Sequence, residues 1–173
     1  MGCFGGGILE IEIRPLTFSE SREIWTINEE GLPGTGKVSE QEINSLLDFS
    51  SYAIGAYIDE ILVGFVICLP PKTEYGSLNY TWFNQRYDNF LYVDRIAVSV
   101  QYQNKNIGSI LYEHVKKQAE EMDAPVTAEV NIYPPNPGSM RFHYRHGFEQ
   151  VGVLEHDEKS VALFVYRSNC QSV

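Results

Sequence analysis

Three kinds of feature are scarce in this chain of 173 residues. Cysteine is one. Cys3, Cys68 and Cys170 are odd in number and widely spaced, which excludes a disulfide framework and a zinc site. Long apolar runs are another. No stretch of about 18 apolar residues occurs, so no spanning helix is expected. The N-terminus also lacks the basic segment and apolar core of a secretory signal. Positive charge is the third: 13 Lys and Arg stand against 23 Asp and Glu, a net charge of −10. Such a surface repels nucleic acid and anionic membranes, and neither is an expected partner. Met1-Gly2 opens like a myristoylation signal, but Gly6 stands where that signal needs Ser or Thr. Residues 1–7, with Gly5-Gly6-Gly7, are expected to be a flexible leader. A reducing cytoplasm is the expected compartment.

What is present suits one globular domain over residues 8–167, followed by a short tail at 168–173. Ile8 to Arg14 alternates apolar and charged residues and stops at Pro15, which predicts a strand. Thr17 with Glu20, and Ser39 with Glu42, have the spacing of capping boxes and open two helices. Leu32 to Gly36 breaks the first of these. Tyr52 to Ile58 and Ile61 to Leu69 form a predicted hairpin, although Asp59-Glu60 is not a favoured turn pair. Residues 72–89 read as a long connection rich in Tyr and Asn, and loops of that length are usually functional. Strands are predicted at Phe90–Val100, Val126–Ile132, Glu149–Leu154 and Ser160–Arg167, with helices at Gly108–Met122 and Pro137–His146. That order implies an α/β domain of the α+β type: one mixed sheet with helices on both faces.

The most informative stretch is Val93 to Tyr112, where an apolar strand runs through a polar loop into an amphipathic helix. The first N–H groups of a helix lack partners and its dipole is positive there, so this junction suits an anion. Gly108 has no Cβ and lets a ligand approach the backbone. Asn106 tolerates the left-handed region better than most L-residues, and Lys105 adds positive charge. Downstream, Asn136-Pro137 has the residues of a helix start, an N-cap followed by proline at the first position. On that helix Asn136, Ser139 and His143 share a face, whereas Tyr144 is rotated from His143 by about 100°.

The loop from Gln103 to Gly108 fits the pattern Gln/Arg-x-x-Gly-x-Gly/Ala and resembles the pyrophosphate loop of the GNAT superfamily of N-acetyltransferases. Glu129 to Ser139, leading into Phe142-His143-Tyr144 and Gly147-Phe148, is similar to that superfamily's strand, Asn-led helix and closing Gly-Phe. The aromatic run Asn79 to Phe83, with Tyr92 to Arg95, resembles an uncharacterised bacterial GNAT subgroup. The likeness covers roughly residues 8–167, with two departures. Asn106 replaces the usual Gly, and His143 stands where many members carry Tyr.

The resemblance implies a mostly antiparallel GNAT-like sheet and acetyl-CoA as co-substrate, with no metal. It implies pyrophosphate contacts from Gln103, Asn104, Lys105, Asn106, Ile107, Gly108 and Ser109. Ile96, Ala97 and Val98 are expected to offer backbone groups to pantetheine, with Asn136, Ser139 and His143 lining the arm. Direct transfer to a primary amine, on a small molecule or a peptide, needs a neutral amine, an oxyanion donor and help for the departing thiolate. His143 is the expected acid, with Tyr144 the alternative, and Asp94 or Glu129 the expected base. Tyr80, Trp82, Tyr87 and Asp94 are the expected acceptor contacts, as aromatic walls with a carboxylate attract a cation. No Cys or Ser sits with a base in either motif, so no covalent intermediate is indicated. The rival reading is a CoA-binding sensor or interaction module without catalysis. Transfer of a longer acyl group and assembly as a homodimer stay open.

Overall fold

The structure, a computed structural model, describes residues 9–169. Gly2, Cys3, Gly5-Gly6-Gly7, Ile8 and Cys170 therefore lie outside the described residues.

Seven strands form one sheet in the order β1-β2-β3-β4-β5-β7-β6. They are β1 Glu12–Pro15, β2 Tyr52–Ile58, β3 Ile61–Leu69, β4 Leu91–Val98, β5 Val126–Tyr133, β6 Glu149–His156 and β7 Lys159–Tyr166. The helices are α1 Ser21–Glu30, α2 Glu40–Phe49, α3 Leu78–Asn84, α4 Ile107–Glu121 and α5 Pro137–Arg145. Every neighbouring pair is antiparallel except β4 and β5.

The central strand β3 shows why the fold has three layers. Its apolar run sends alternate side chains to opposite faces, and both faces are covered. Val66 and Cys68 join Leu111, Val115 and Ala119 of α4 in one core. Phe65, Ile67 and Leu69 join Ile24 of α1, Ile43 of α2 and Phe83 of α3 in the other. A strand without polar alternation thus needs helices on both sides.

Two sequence expectations change, and the hairpin stands on an unusual turn pair. The first strand starts at Glu12 and runs through Pro15, the end residue of an edge strand that pairs with β2 alone. The connection at 72–89 contains α3, capped by the Ser77 hydroxyl, which accepts from the Tyr80 N–H at 3.3 Å. Its aromatic and Asn residues are weak helix formers, so the packing of Tyr80 and Phe83 into the core decides it. Asp59-Glu60 does close the hairpin, with both residues at positive φ (49° and 65°) as a tight primed turn requires.

Two local irregularities create the site. β4 and β5 pair only at Leu91 with Val126 and Tyr92 with Thr127, so the strands part beyond those residues. On the other edge of β4, Ile67 faces Arg95 and Cys68 faces Val93, which leaves Asp94 as the extra residue of a bulge.

Both capping boxes form. Ser39 accepts from the Glu42 N–H at 3.1 Å while the Glu42 carboxylate accepts from the Ser39 N–H at 2.6 Å. Ser39→Ala is expected to lower unfolding free energy by about 1 kcal/mol. Urea titration at neutral pH checks this; a loss below about 0.3 kcal/mol contradicts the cap's role.

Candidate active site

Where β4 and β5 part, two cavities adjoin along shared lining residues. The larger, about 880 Å³, runs along Ile96, Ala97 and Val98, then the loop and first turn of α4, then α5. The smaller, about 230 Å³, lies between the α1–α2 connection, α3, β4, β5 and the β6–β7 turn. Ile96, Ser139 and His143 line both.

The loop entering α4 is shaped for an anion. Asn104 and Asn106 both adopt φ 62°, and Asn106 makes no side-chain cap. The first N–H groups of α4 therefore receive no hydrogen bond from a capping side chain. Gln103, Asn104, Asn106, Ile107, Gly108 and Ser109 all line the larger cavity, whereas Lys105 is exposed and off its wall. At Gly108 an added Cβ would sit 3.2 Å from the Phe142 ring, so a side chain here meets α5 across the groove floor.

The α5 face behaves as its spacing predicts. Asn136 caps the helix, accepting from the Ser139 N–H at 3.3 Å, and it also lines the larger cavity with Ser139 and His143. Tyr144 faces the other way. It is 51% exposed, its hydroxyl donates to Gln150 and its ring meets the edge of Phe164, so it touches neither cavity.

His143 is buried between α4 and α5. Its Nδ1 lies 2.8 Å from the Ser139 carbonyl, which can only accept, so Nδ1 carries the proton. Its Nε2 then accepts from the Tyr112 hydroxyl at 2.6 Å. Burial lowers its pKa to about 4, leaving a neutral ring with both nitrogens engaged.

The two carboxylates are in different states. Asp94 Oδ2 accepts from Arg95 Nε at 2.7 Å, and both side chains are nearly enclosed (3% and 7% exposed). Alternation along a strand puts neighbours on opposite faces, but the bulge cancels that rule and lets them meet. Glu129 accepts from the Tyr92 hydroxyl at 2.7 Å through one oxygen, while the other is buried with no partner. Burial, then the charge of Asp94, raises its pKa to about 8, against the pull of the bond from Tyr92.

The expected aromatic contacts fall elsewhere. Tyr80 is buried and donates to the Pro70 carbonyl, Trp82 packs on Gly152 beneath the Arg86 guanidinium, and Tyr87 packs on Phe83. None lines either cavity; α3 turns these rings into the second core instead. From this segment the smaller cavity takes Tyr75, Ser77 and Asn79. Sequence reasoning also missed Arg95, Tyr112, His156 and the Gly34–Gly36 wall. Tyr112 reads as core in an amphipathic helix, and Pro33-Gly34 reads as a helix breaker. Among the described residues no group of three or more His, Cys, Asp or Glu side chains could hold a metal ion.

The family model described as the acetyltransferase (GNAT) family matches residues 14–148. The chain belongs to this family. A curated relative, "Probable N-acetyltransferase san" of Drosophila melanogaster, is 28% identical over 116 residues. The match covers 67% of this chain and 56% of that protein, so the chain spans little more than half of that relative's length. Among solved structures, Arabidopsis thaliana NAA60 in complex with a bisubstrate analogue superposes with a TM-score of 0.71 at 20% identity, covering 91% of this chain and 97% of that one. Arabidopsis thaliana Naa50 in complex with the bisubstrate analogue CoA-Ac-MVNAL gives 0.71 at 16%, covering 91% and 99%. The ribosomal-protein-S18-alanine N-acetyltransferase of Escherichia coli gives 0.70 at 15%, covering 90% and 92%. These likenesses show the same fold.

The protonation of His143 carries a stability signature. Its folded pKa of about 4 lies below the ordinary 6.5, so the unfolded chain binds a proton that the folded chain refuses between those values. Its contribution is present above pH 6.5 and is lost as pH falls towards 4. His143→Gln is expected to lose less melting temperature than the parent chain over that interval. Calorimetry at several pH values measures this, and parallel slopes for the two proteins refute it.

Proposed function

We propose that this chain transfers an acetyl group from acetyl-CoA to a primary amine by direct attack. CoA occupies the larger cavity and the amine enters the smaller one. The observation that carries this reading is their junction at Ile96, Ser139 and His143, where a thioester carbonyl and an amine can meet. The uncapped first turn of α4 receives the pyrophosphate, and the backbone of Ile96 to Val98 on β4, unpaired towards β5, receives the pantetheine amides.

Glu129 is the base. A free alkylammonium has a pKa of about 10.4, so the amine must lose a proton before attack. Asp94 is committed to Arg95, whereas Glu129 has a free oxygen in the smaller cavity and a pKa of about 8. At neutral pH roughly a tenth of such a carboxyl is ionised, and the fraction grows as pH rises through that value. Neutral His143 holds Tyr112 and the start of α5 in place rather than donating a proton. The tetrahedral intermediate collapses by breaking the C–S bond. A thiol with an ordinary pKa of about 8.5 leaves as thiolate at mildly alkaline pH; the second proton, shed by the attacking nitrogen, goes to the thiolate or to water, and the one taken by Glu129 passes on to water.

The acceptor is a small molecule or a peptide. The Naa50 complex, with its conjugate CoA-Ac-MVNAL, makes peptide α-amines the first candidates to test. Their pKa of about 7.7–8.0 matches a base of this strength better than lysine does. A cytoplasmic location follows from the cysteine usage, and the −10 charge disfavours nucleic acid or membrane as partner. The exposed edge strand β6 leaves room for a homodimer.

Thiol release from acetyl-CoA with a panel of α-amines, lysines and small amines, read with product mass, tests the reading. Acetylated product is expected with at least one amine class. CoA binding without release for any amine would support a sensor instead. For a productive amine, kcat/KM is expected to rise with pH through about 8, and Glu129→Gln should lower it at least about tenfold and flatten that limb. An unchanged limb in the variant removes Glu129 from the role. Gly108→Glu is expected to weaken CoA at least about tenfold, or 1.4 kcal/mol, in a folded protein. Unchanged calorimetric affinity there displaces the pyrophosphate from this loop.

A further inference from the structure

Arg95 is a buried cation on the β4 bulge, and its donors are spread over three parts of the chain. Nε donates to Asp94 at 2.7 Å. Nη1 donates to the Asn28 side-chain oxygen at 3.0 Å and to the Gly36 carbonyl at 3.1 Å. Asn28 is fully buried near the end of α1, and its own amide nitrogen also reaches the Gly36 carbonyl, at 3.1 Å. The Thr35 hydroxyl returns to the Asn28 carbonyl at 3.0 Å. The connection from Gly31 to Gly36 is therefore tied to β4 through one guanidinium and one amide.

That connection forms a wall of the smaller cavity through Pro33 to Gly36. Its Gly34 also abuts the larger one. A Cβ at Gly34 would lie 2.9 Å from the side-chain nitrogen of Asn136, which lines the larger cavity. A buried ion pair is poor evidence for added stability, because desolvating both charges offsets their attraction. The donor geometry argues for placement instead. A planar guanidinium holds three acceptors in fixed directions, which an ammonium on a single flexible stem cannot do.

We propose that Arg95 is a positioning residue: anchored on Asp94 at the β4 bulge, it holds the α1–α2 connection as the fixed wall of the acceptor cavity. This rests on the reading of the smaller cavity as the amine site. Arg95 acts on the acceptor through Asn28 and Gly36. Asp94 serves as the anchor of Arg95, and its charge is spent there.

Two substitutions separate placement from charge. Arg95→Gln alone strands a buried carboxylate, so the test variant is Arg95→Gln combined with Asp94→Asn, which removes both charges together. Arg95→Lys, which keeps the ion pair but cannot span Asn28 and Gly36 as well, is the second variant and decides the matter if the first fails to fold. In each, the amine KM is expected to rise at least tenfold, with CoA affinity within twofold of the parent. Hydrogen exchange at the Thr35 amide, which bonds to the Gly31 carbonyl at 3.2 Å, should quicken at least tenfold. An amine KM within threefold of the parent, or unchanged exchange at Thr35, overturns the proposal. If the parent chain acetylates no amine, the functional reading falls by that result, and the exchange measurement still judges the role of Arg95.

Discussion

The site depends on a pairing that stops. β4 and β5 run parallel and share a register at only two residue pairs, Leu91 with Val126 and Tyr92 with Thr127. Had the ladder continued, the backbone of Ile96 to Val98 would face a neighbouring strand and both cavities would close. Backbone donors and acceptors that lose a strand partner need another, so an interrupted ladder favours an extended ligand in the gap. Flanking strands hold the gap open. β3 pairs with β4 from Gly64 to Leu69, and β7 pairs with β5 from Val126 to Tyr133. Each diverging strand is thus anchored on its far edge.

Within that gap, enclosure decides which groups carry charge. Removing water raises the cost of an isolated charge, so each titratable group must be paired or neutral. Asp94 and Arg95 take the first course at 2.7 Å. His143 takes the second, its pKa lowered to about 4 by burial. Glu129 lies between, with a pKa of about 8 set by burial and by the charge of Asp94. That value places its change of protonation near neutral pH. A buried carboxyl with one unsatisfied oxygen costs stability, and such costs collect where chemistry is done.

Much of the architecture was legible in the sequence because it is written in local patterns. The two capping boxes, the unbroken apolar run of β3 and the helix entry at Gly108 each have a direct physical reading. The face shared by Asn136, Ser139 and His143 followed from helical spacing alone. What could not be read was non-local. The bulge at Asp94 depends on the register of β3, and without it strict alternation sends Arg95 away from Asp94. α3 forms from weak helix formers because Tyr80 and Phe83 pack into a core assembled from distant elements. Reading that helix as a loop puts Trp82 and Tyr87 on an acceptor wall, whereas in the structure Tyr75 and Asn79 line the smaller cavity. The engagement of His143 Nε2 also depends on a partner, Tyr112, 31 residues away.

The central claim is that CoA and amine meet in the gap between β4 and β5. A crystal structure with a conjugate joining CoA sulfur to a peptide α-amine tests it most directly. The account predicts the pyrophosphate on the N–H groups of Ile107 to Ser109, the sulfur between Ile96 and Ser139, and the acceptor portion beside Glu129. A peptide portion lying outside the smaller cavity, or a pyrophosphate away from the first turn of α4, would contradict it.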